Sequence, residues 1–271
     1  MKLLTHAILL IFILMAACQT VPVTGRRQLS LIPHSEILAM SATQYSQFLR
    51  QNRLSTNAQA VATVRRVGER IRQGVEKYMA EMNMSDRLEG FSWEFNLVEN
   101  EQANAWCMPG GKVVVYTGIL PICKDENGLA VVMGHEIAHA IAGHGDERLS
   151  QNLLATVGQV GLAIALSNKP RETQAAWMAA YGIGTQLGVL LPFSRKHESE
   201  ADEIGLMFSA YAGYDPREAP KFWERMAATS RTAVPEFLST HPSTQTRIHQ
   251  LNNLIPKAME FYNKSPFRQS P

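Results

Sequence analysis

The sequence has almost no net charge and no basic run. Its 26 Lys and Arg stand against 24 Asp and Glu, a formal balance of +2. Positive charge scattered in this way forms no electrostatic stripe, which excludes nucleic acid and acidic polymers as partners. No internal repeat and no low-complexity tract appears. The apolar run Leu3 to Leu14 falls short of the ~20 residues that a spanning helix needs. Cysteine is scarce, with three in 271 residues. What remains is ample apolar material, 45% of the chain, enough for one substantial core and hence one principal domain.

The scarce cysteines carry information through their positions. Lys2, the apolar run and Met15-Ala-Ala-Cys18 read together as an export signal over residues 1–17, with small residues where a signal peptidase would cut. Cys18 after two alanines is similar to the lipobox of bacterial lipoproteins, in which the cysteine is acylated and becomes the first mature residue; simple secretion is the other reading. More than one acyl chain gives stable anchoring. Gln19, in place of Asp, directs such a lipoprotein to the outer membrane where the cell has one. Residues 18–34, with Pro22, Gly25 and Pro33, are then expected to be a lipidated tether. Cys107 and Cys123 remain for an oxidising compartment, either as a disulfide or as two buried thiols.

Along the chain, Val61, Val64, Ile71, Val75 and Tyr78 recur at helical spacing and predict an amphipathic helix. Phe91, Trp93, Phe95 and Leu97 alternate with polar residues, and Lys112 to Thr117 follows a turn signal; the two predict a small sheet. The stretch from Glu126 to His144 is apolar on nearly every side and predicts a buried helix. Residues 153–166 and 175–191 are rich in Ala, Leu, Val and Gly. They read as two core helices, with a membrane-dipping hairpin or a groove cover as the other reading. Further helices are predicted over 194–208, 216–230 and 243–263. The fold class is α+β, mainly α.

The buried helix contains Gly134-His-Glu-Ile-Ala-His139. Residues four apart share a helix face, so His135 and His139 can present both imidazoles to one metal ion. Glu136, one step round, can reach a water activated by that ion without taking a coordination position, as a general base requires. Two imidazoles and a carboxylate suit Zn²⁺. His144 lies off the ligand face and is expected to cap the helix end. The third ligand is sought in Ser194-Arg-Lys-His-Glu-Ser-Glu-Ala-Asp202. There Glu198 and Asp202 lie four apart, Asp202 being placed to fix a ligand's tautomer, and His197 and Glu200 are rivals by composition.

These motifs resemble the gluzincin metallopeptidases that include HtpX, the CAAX prenyl proteases and the mitochondrial inner-membrane quality-control peptidase. The match runs over about residues 35–255, with the folded metallopeptidase domain expected over 35–265. Ser194, Arg195, Glu198, Ala201 and Asp202 fit the family's Ser-Arg-x-x-Glu-x-x-Ala-Asp run, which implies that Glu198 is the zinc ligand. The resemblance further implies a zincin fold with a small sheet flanking the HExxH helix. Asn104, Ala105 and Trp106 correspond to its substrate-binding edge strand. His241 and Arg247, in Thr240-His-Pro-Ser-Thr-Gln-Thr-Arg-Ile248, then approach the metal as oxyanion donors, His241 also as a resting-state ligand. The nearest branch is that of bacterial lipoproteins similar to LoiP and BepA, without a repeat domain. The implied activity is endoproteolysis of unfolded or mislocalised envelope proteins at the periplasmic face of the membrane. The competing reading is a chaperone-like assembly factor in which zinc is mainly structural.

Overall fold

The computed structural model describes residues 18–186, 190–229, 236–241 and 245–268, without the side chains of Cys18 and of 191–193. The expected leader, residues 1–17, and Pro242 lie outside them. Among the described residues, a short antiparallel hairpin, β1 (Cys18–Thr20) and β2 (Arg27–Leu29), comes first. Helices α1 (His34–Gln51) and α2 (Ala58–Glu81) follow. Asn57 caps α2, its side chain accepting from the Ala60 N–H at 3.1 Å. The apolar stripe of α2 is buried at Val64, Val67, Ile71, Val75 and Tyr78, as its period requires.

A three-stranded sheet comes next, β3 (Glu94–Val98), β4 (Ala105–Met108) and β5 (Lys112–Tyr116), in the order β3-β5-β4. The central strand β5 is buried at every residue, pairs parallel with β3 and antiparallel with β4. β4 is therefore an edge. The alternation from Phe91 predicts an earlier start to β3, but Phe91 and Ser92 are held in a loop by bonds to Leu88 O and Gly110 O.

After the short α3 (Leu120–Cys123) the buried helix α4 runs over Glu126–Ile141. Asp125 caps it, accepting from the N–H groups of Asn127 and Gly128. The helix stops short of His144 because Gly143 takes a left-handed φ of 69°. Helix α5 (His144–Ala165) turns back from there and pairs with α6 (Arg171–Thr185). Helix α7 (Leu191–Tyr211) crosses α4 at the centre, and α8 (Glu218–Thr229), α9 (Glu236–Thr240) and α10 (Gln245–Lys264) close the far side.

The structure departs from the sequence expectations at three places. Residues 18–34 are not a slack tether. Val21 is fully buried, and Arg26 forms ion pairs with Glu147 and Glu200 inside the protein. The two helices expected in the core are not there: no residue of α6 is buried, and α5 is buried only at His144, Glu147, Ser150 and Gln151. Cys107 and Cys123 are free thiols, the bridge being absent. Cys107 sits in mid-strand on β4 opposite Val113, while Cys123 ends α3 in the core. Burial pushes the Cys123 thiol up to about 12, which keeps it protonated and unreactive.

Candidate metal centre

The crossing of α4 and α7 is set by two glycines. A Cβ on Gly205 would stand 2.8 Å from the carbonyl carbon and oxygen of Gly134, so only glycine permits this approach. The contact aligns His135 and His139 on one helix with Glu198 and Asp202 on the other.

Nε2 of His135 and Nε2 of His139 lie 3.1 Å apart. The Glu198 carboxylate faces both, 3.4 Å from His135 and 3.3 Å from His139. His241, just beyond α9, brings Nδ1 to 2.9 Å from Glu198 Oε1 and 3.3 Å from His135 Nε2. Potential ligand atoms of all four residues fall within 4.8 Å of one another. Ring nitrogens and carboxylate oxygens converging on one point leave more lone pairs than protons can bridge, and a divalent cation resolves that excess. Charge tells the same story. Burial lowers the affinity of His135 for a proton, yet Asp202 and Glu198 raise its pKa to about 9, while burial, with His135 and His144 beside it, holds His139 well below the usual imidazole range; the carboxylates thus favour positive charge at one point of the cluster. The donor set, two imidazoles and a carboxylate with a third imidazole in reach, fits zinc.

Glu136 is 3% exposed, and its Oε1 has no hydrogen-bond partner among the described residues. Nε2 of the His241 imidazole is 3.5 Å from it. Burial raises its carboxyl above the ordinary range, the property of a base poised for proton transfer.

Around the cluster stands a shell of buried partners. Asp202 Oδ1 is 3.1 Å from Nδ1 of His135. Arg247 donates to both Asp202 oxygens at 2.7 Å and reaches Glu198 at 3.0 Å. Its guanidinium stacks 3.8 Å above Trp223. Arg247 therefore stands behind the metal-facing carboxylates as a clamp, with Nε and Nη2 on Asp202 and Nη1 on Glu198. Trp223 and Phe237 wall the site, with Phe237 4.7 Å from the His241 ring.

His144 does not cap α4. It begins α5, where its Nδ1 lies 2.9 Å from Nδ1 of His139 and its Nε2 3.1 Å from Glu200. It also stacks on His197 at 4.3 Å. His197 and Glu200, the rival ligands by composition, face this side and not the metal cluster: His197 contacts Glu147 at 2.8 Å, and Glu200 and Glu147 share Arg26. Motif reading missed Arg26, Glu147, Trp223 and Gly205. Only Gly205 left a signal, a glycine one helical turn beyond Ala201 facing the Gly134 of the motif.

The cluster lies in a cleft of about 630 Å³ bordered by residues 104–109 of the β4 edge, the start of α5, and Ser194 and Thr240. Asn104, Ala105 and Trp106 thus border the cleft beside Glu136. The ring of Trp106 packs edge-on to Phe48 at 4.8 Å, leaving the unpaired strand edge as what this segment offers a substrate.

An HExxH helix crossed by a second helix that supplies a glutamate defines the class of zinc metallopeptidases with a zincin-like fold. The chain belongs to peptidase family M48, whose model matches residues 66–255. It is 38% identical over 186 residues to the mitochondrial metalloendopeptidase OMA1 of Schizosaccharomyces pombe, covering 68% of this chain and 52% of that protein. Human OMA1 is 31% identical over 248 residues, 88% of this chain and 46% of its own. The beta-barrel assembly-enhancing protease of Escherichia coli is 30% identical over 167 residues, 59% of this chain and 34% of its own. The chain thus spans about half the length of these relatives, or less. Among the described residues no helix is long and apolar enough to cross a membrane.

Proposed function

We propose that the chain is a zinc-dependent endopeptidase, held at a cell-envelope membrane through Cys18, that cleaves unfolded or mislocalised envelope proteins. The observation that carries this reading is the buried, unpartnered Glu136 carboxylate beside His135, His139 and Glu198 at the floor of a cleft with a free strand edge. His135, His139 and Glu198 hold the ion. Zinc in that position supplies Lewis acidity, making water nucleophilic at neutral pH and polarising a carbonyl. An extended polypeptide adds to the edge of β4, whose backbone donors and acceptors accept any sequence. Glu136 takes the proton of the attacking water and passes it to the leaving amine. His241, lining the cleft, donates to the oxygen that gains charge, and its Nδ1, within reach of Glu198 and His135, would serve as a fourth donor to the ion when no substrate is bound. Asp202 and Arg247 orient His135 and Glu198.

Degradation of misfolded chains is supported by the family and by a cleft open to extended peptide. The relative named as a beta-barrel assembly-enhancing protease favours a second reading, assembly assistance through the same strand edge. Cleavage of casein by the zinc-loaded chain, by the chelated chain and by Glu136→Gln separates them. Proteolysis present only in the first supports the peptidase. Cellular function preserved in Glu136→Gln, with zinc still bound, supports assembly assistance.

A further inference from the structure

The hairpin of α5 and α6 is out of keeping with a water-facing surface. From Leu149 to Asn168 and from Thr173 to Ser194 the sequence has no charged residue. After Gln151 no residue of either helix is buried. Of the eleven large apolar side chains exposed on the described chain, eight belong to this hairpin, including Val157 at 61%, Ile164 at 69%, Trp177 at 59% and Ile183 at 62%. The helices hold each other where Gly158 lets Tyr181 approach and donate to Ala155 O at 2.9 Å. Soluble proteins rarely leave apolar surface of this extent uncovered.

We infer that this hairpin lies in the surface of a lipid bilayer. Val157, Val160 and Ile164 form one stripe of α5, while Trp177 and Ile183 lie about 120° apart around α6 at 100° per residue. The exposed apolar side chains thus spread over more than one flank of the hairpin, which an apolar medium covers more readily than a single protein face. The uncharged stretches lower the cost of burial below the headgroups, and neither helix is long and apolar enough to span. Lys169 and Arg171, exposed at the tip beside Glu172, leave it one net positive charge, which suits anionic headgroups. Trp177 has the amphipathic ring favoured at such interfaces.

The beginning of the chain is placed to agree. The apolar run Leu3–Leu14 precedes β1 directly, and β2 leads into a segment fixed to the base of α5, where the Leu31 N–H donates to Ser150 Oγ at 3.0 Å. A bilayer that holds the N-terminus is therefore within reach of the hairpin. Because Arg148, Asn152 and Gln186 line the cleft, the hairpin rises from the cleft rim and sets the active site against the membrane surface. Its preferred substrates are then polypeptide segments presented at that surface.

The test is tryptophan fluorescence of the full chain bound to vesicles of phosphatidylcholine and phosphatidylglycerol with brominated acyl chains, compared with Trp177→Phe. The bromines should quench the component of emission that Trp177→Phe removes, and the wild-type emission should shift to the blue on binding. Ile164→Glu, at a side chain 69% exposed and with folding checked by circular dichroism, should abolish that quenching while zinc content stays unchanged. Vesicle-bound wild type with unquenched Trp177 overturns the inference. So does a hairpin that serves another occupant: Ile164→Glu raising KM for casein without vesicles while quenching persists assigns it to unfolded polypeptide, and a halved sedimenting mass assigns it to a second copy of the chain.

Discussion

Arg26 donates from Nη2 to Oε2 of Glu147 at 2.7 Å, so the N-terminal hairpin is locked to the first turn of α5. The same guanidinium reaches Glu200, which Thr24 also holds, and Glu200 in turn contacts His144 beside His139. The β1–β2 hairpin thereby supports a zinc-facing imidazole, that of His139, through two intervening side chains, Glu200 and His144.

Removing the guanidinium leaves two buried carboxylates without their cation. Arg26→Ala should lose about 3 kcal/mol of stability, read from the urea midpoint, and bind zinc more weakly. Arg26→Lys should recover only part of the loss, since an ammonium lacks the planar fork that serves both carboxylates. A midpoint unchanged in Arg26→Ala would show that residues 18–34 are a tether after all.

Acid should weaken the same joint. Burial alone would raise the Glu147 carboxyl, but hydrogen bonds from His197 and Arg26 hold it below its ordinary value. A lowered folded pKa contributes stability that is complete above the unfolded value of about 4.3 and is lost as pH falls through the folded one. Thermal unfolding of the metal-free chain should therefore fall steeply below about pH 4. Glu147→Gln should start less stable and show a shallower fall; parallel curves for the two would contradict this.

The helix crossing permits no side chain at Gly205. Gly205→Ala should cost about 2 kcal/mol and reduce zinc occupancy together with it, because the same approach brings Glu198 to His135 and His139. Wild-type zinc affinity in a destabilised Gly205→Ala would separate the crossing from the site.

Asp202 contacts the non-ligating nitrogen of His135 and is clamped by Arg247. Asp202→Asn should weaken zinc binding by roughly 10–100-fold in a competition titration with a chelator. Affinity within about twofold of wild type would leave Asp202 a purely structural partner of Arg247.

The metal-facing histidines were legible in sequence because residues four apart share a helix face, the spacing of His135 and His139; spacing left Glu198 beside His197 and Glu200, and only the family resemblance singled it out. The sheet was legible in part, since alternation marks Phe95 and Leu97, but alternation cannot mark where Gly110 and Gly111 draw the chain into a loop. Arg26 was illegible for a different reason. Its partners lie more than a hundred residues away, and a Pro- and Gly-bearing segment looks slack until something distant binds it. The α5–α6 hairpin misled in the opposite sense, because apolar composition reports a preference for leaving water and says nothing of whether protein or lipid receives it.

The most direct test is zinc content and casein cleavage measured together for wild type, Glu136→Gln and Glu198→Ala. Wild type and Glu136→Gln should each hold one zinc per chain, with cleavage lost in the latter, and Glu198→Ala should lose both zinc and cleavage. Cleavage retained by Glu136→Gln, or zinc bound at wild-type affinity by Glu198→Ala, would contradict this.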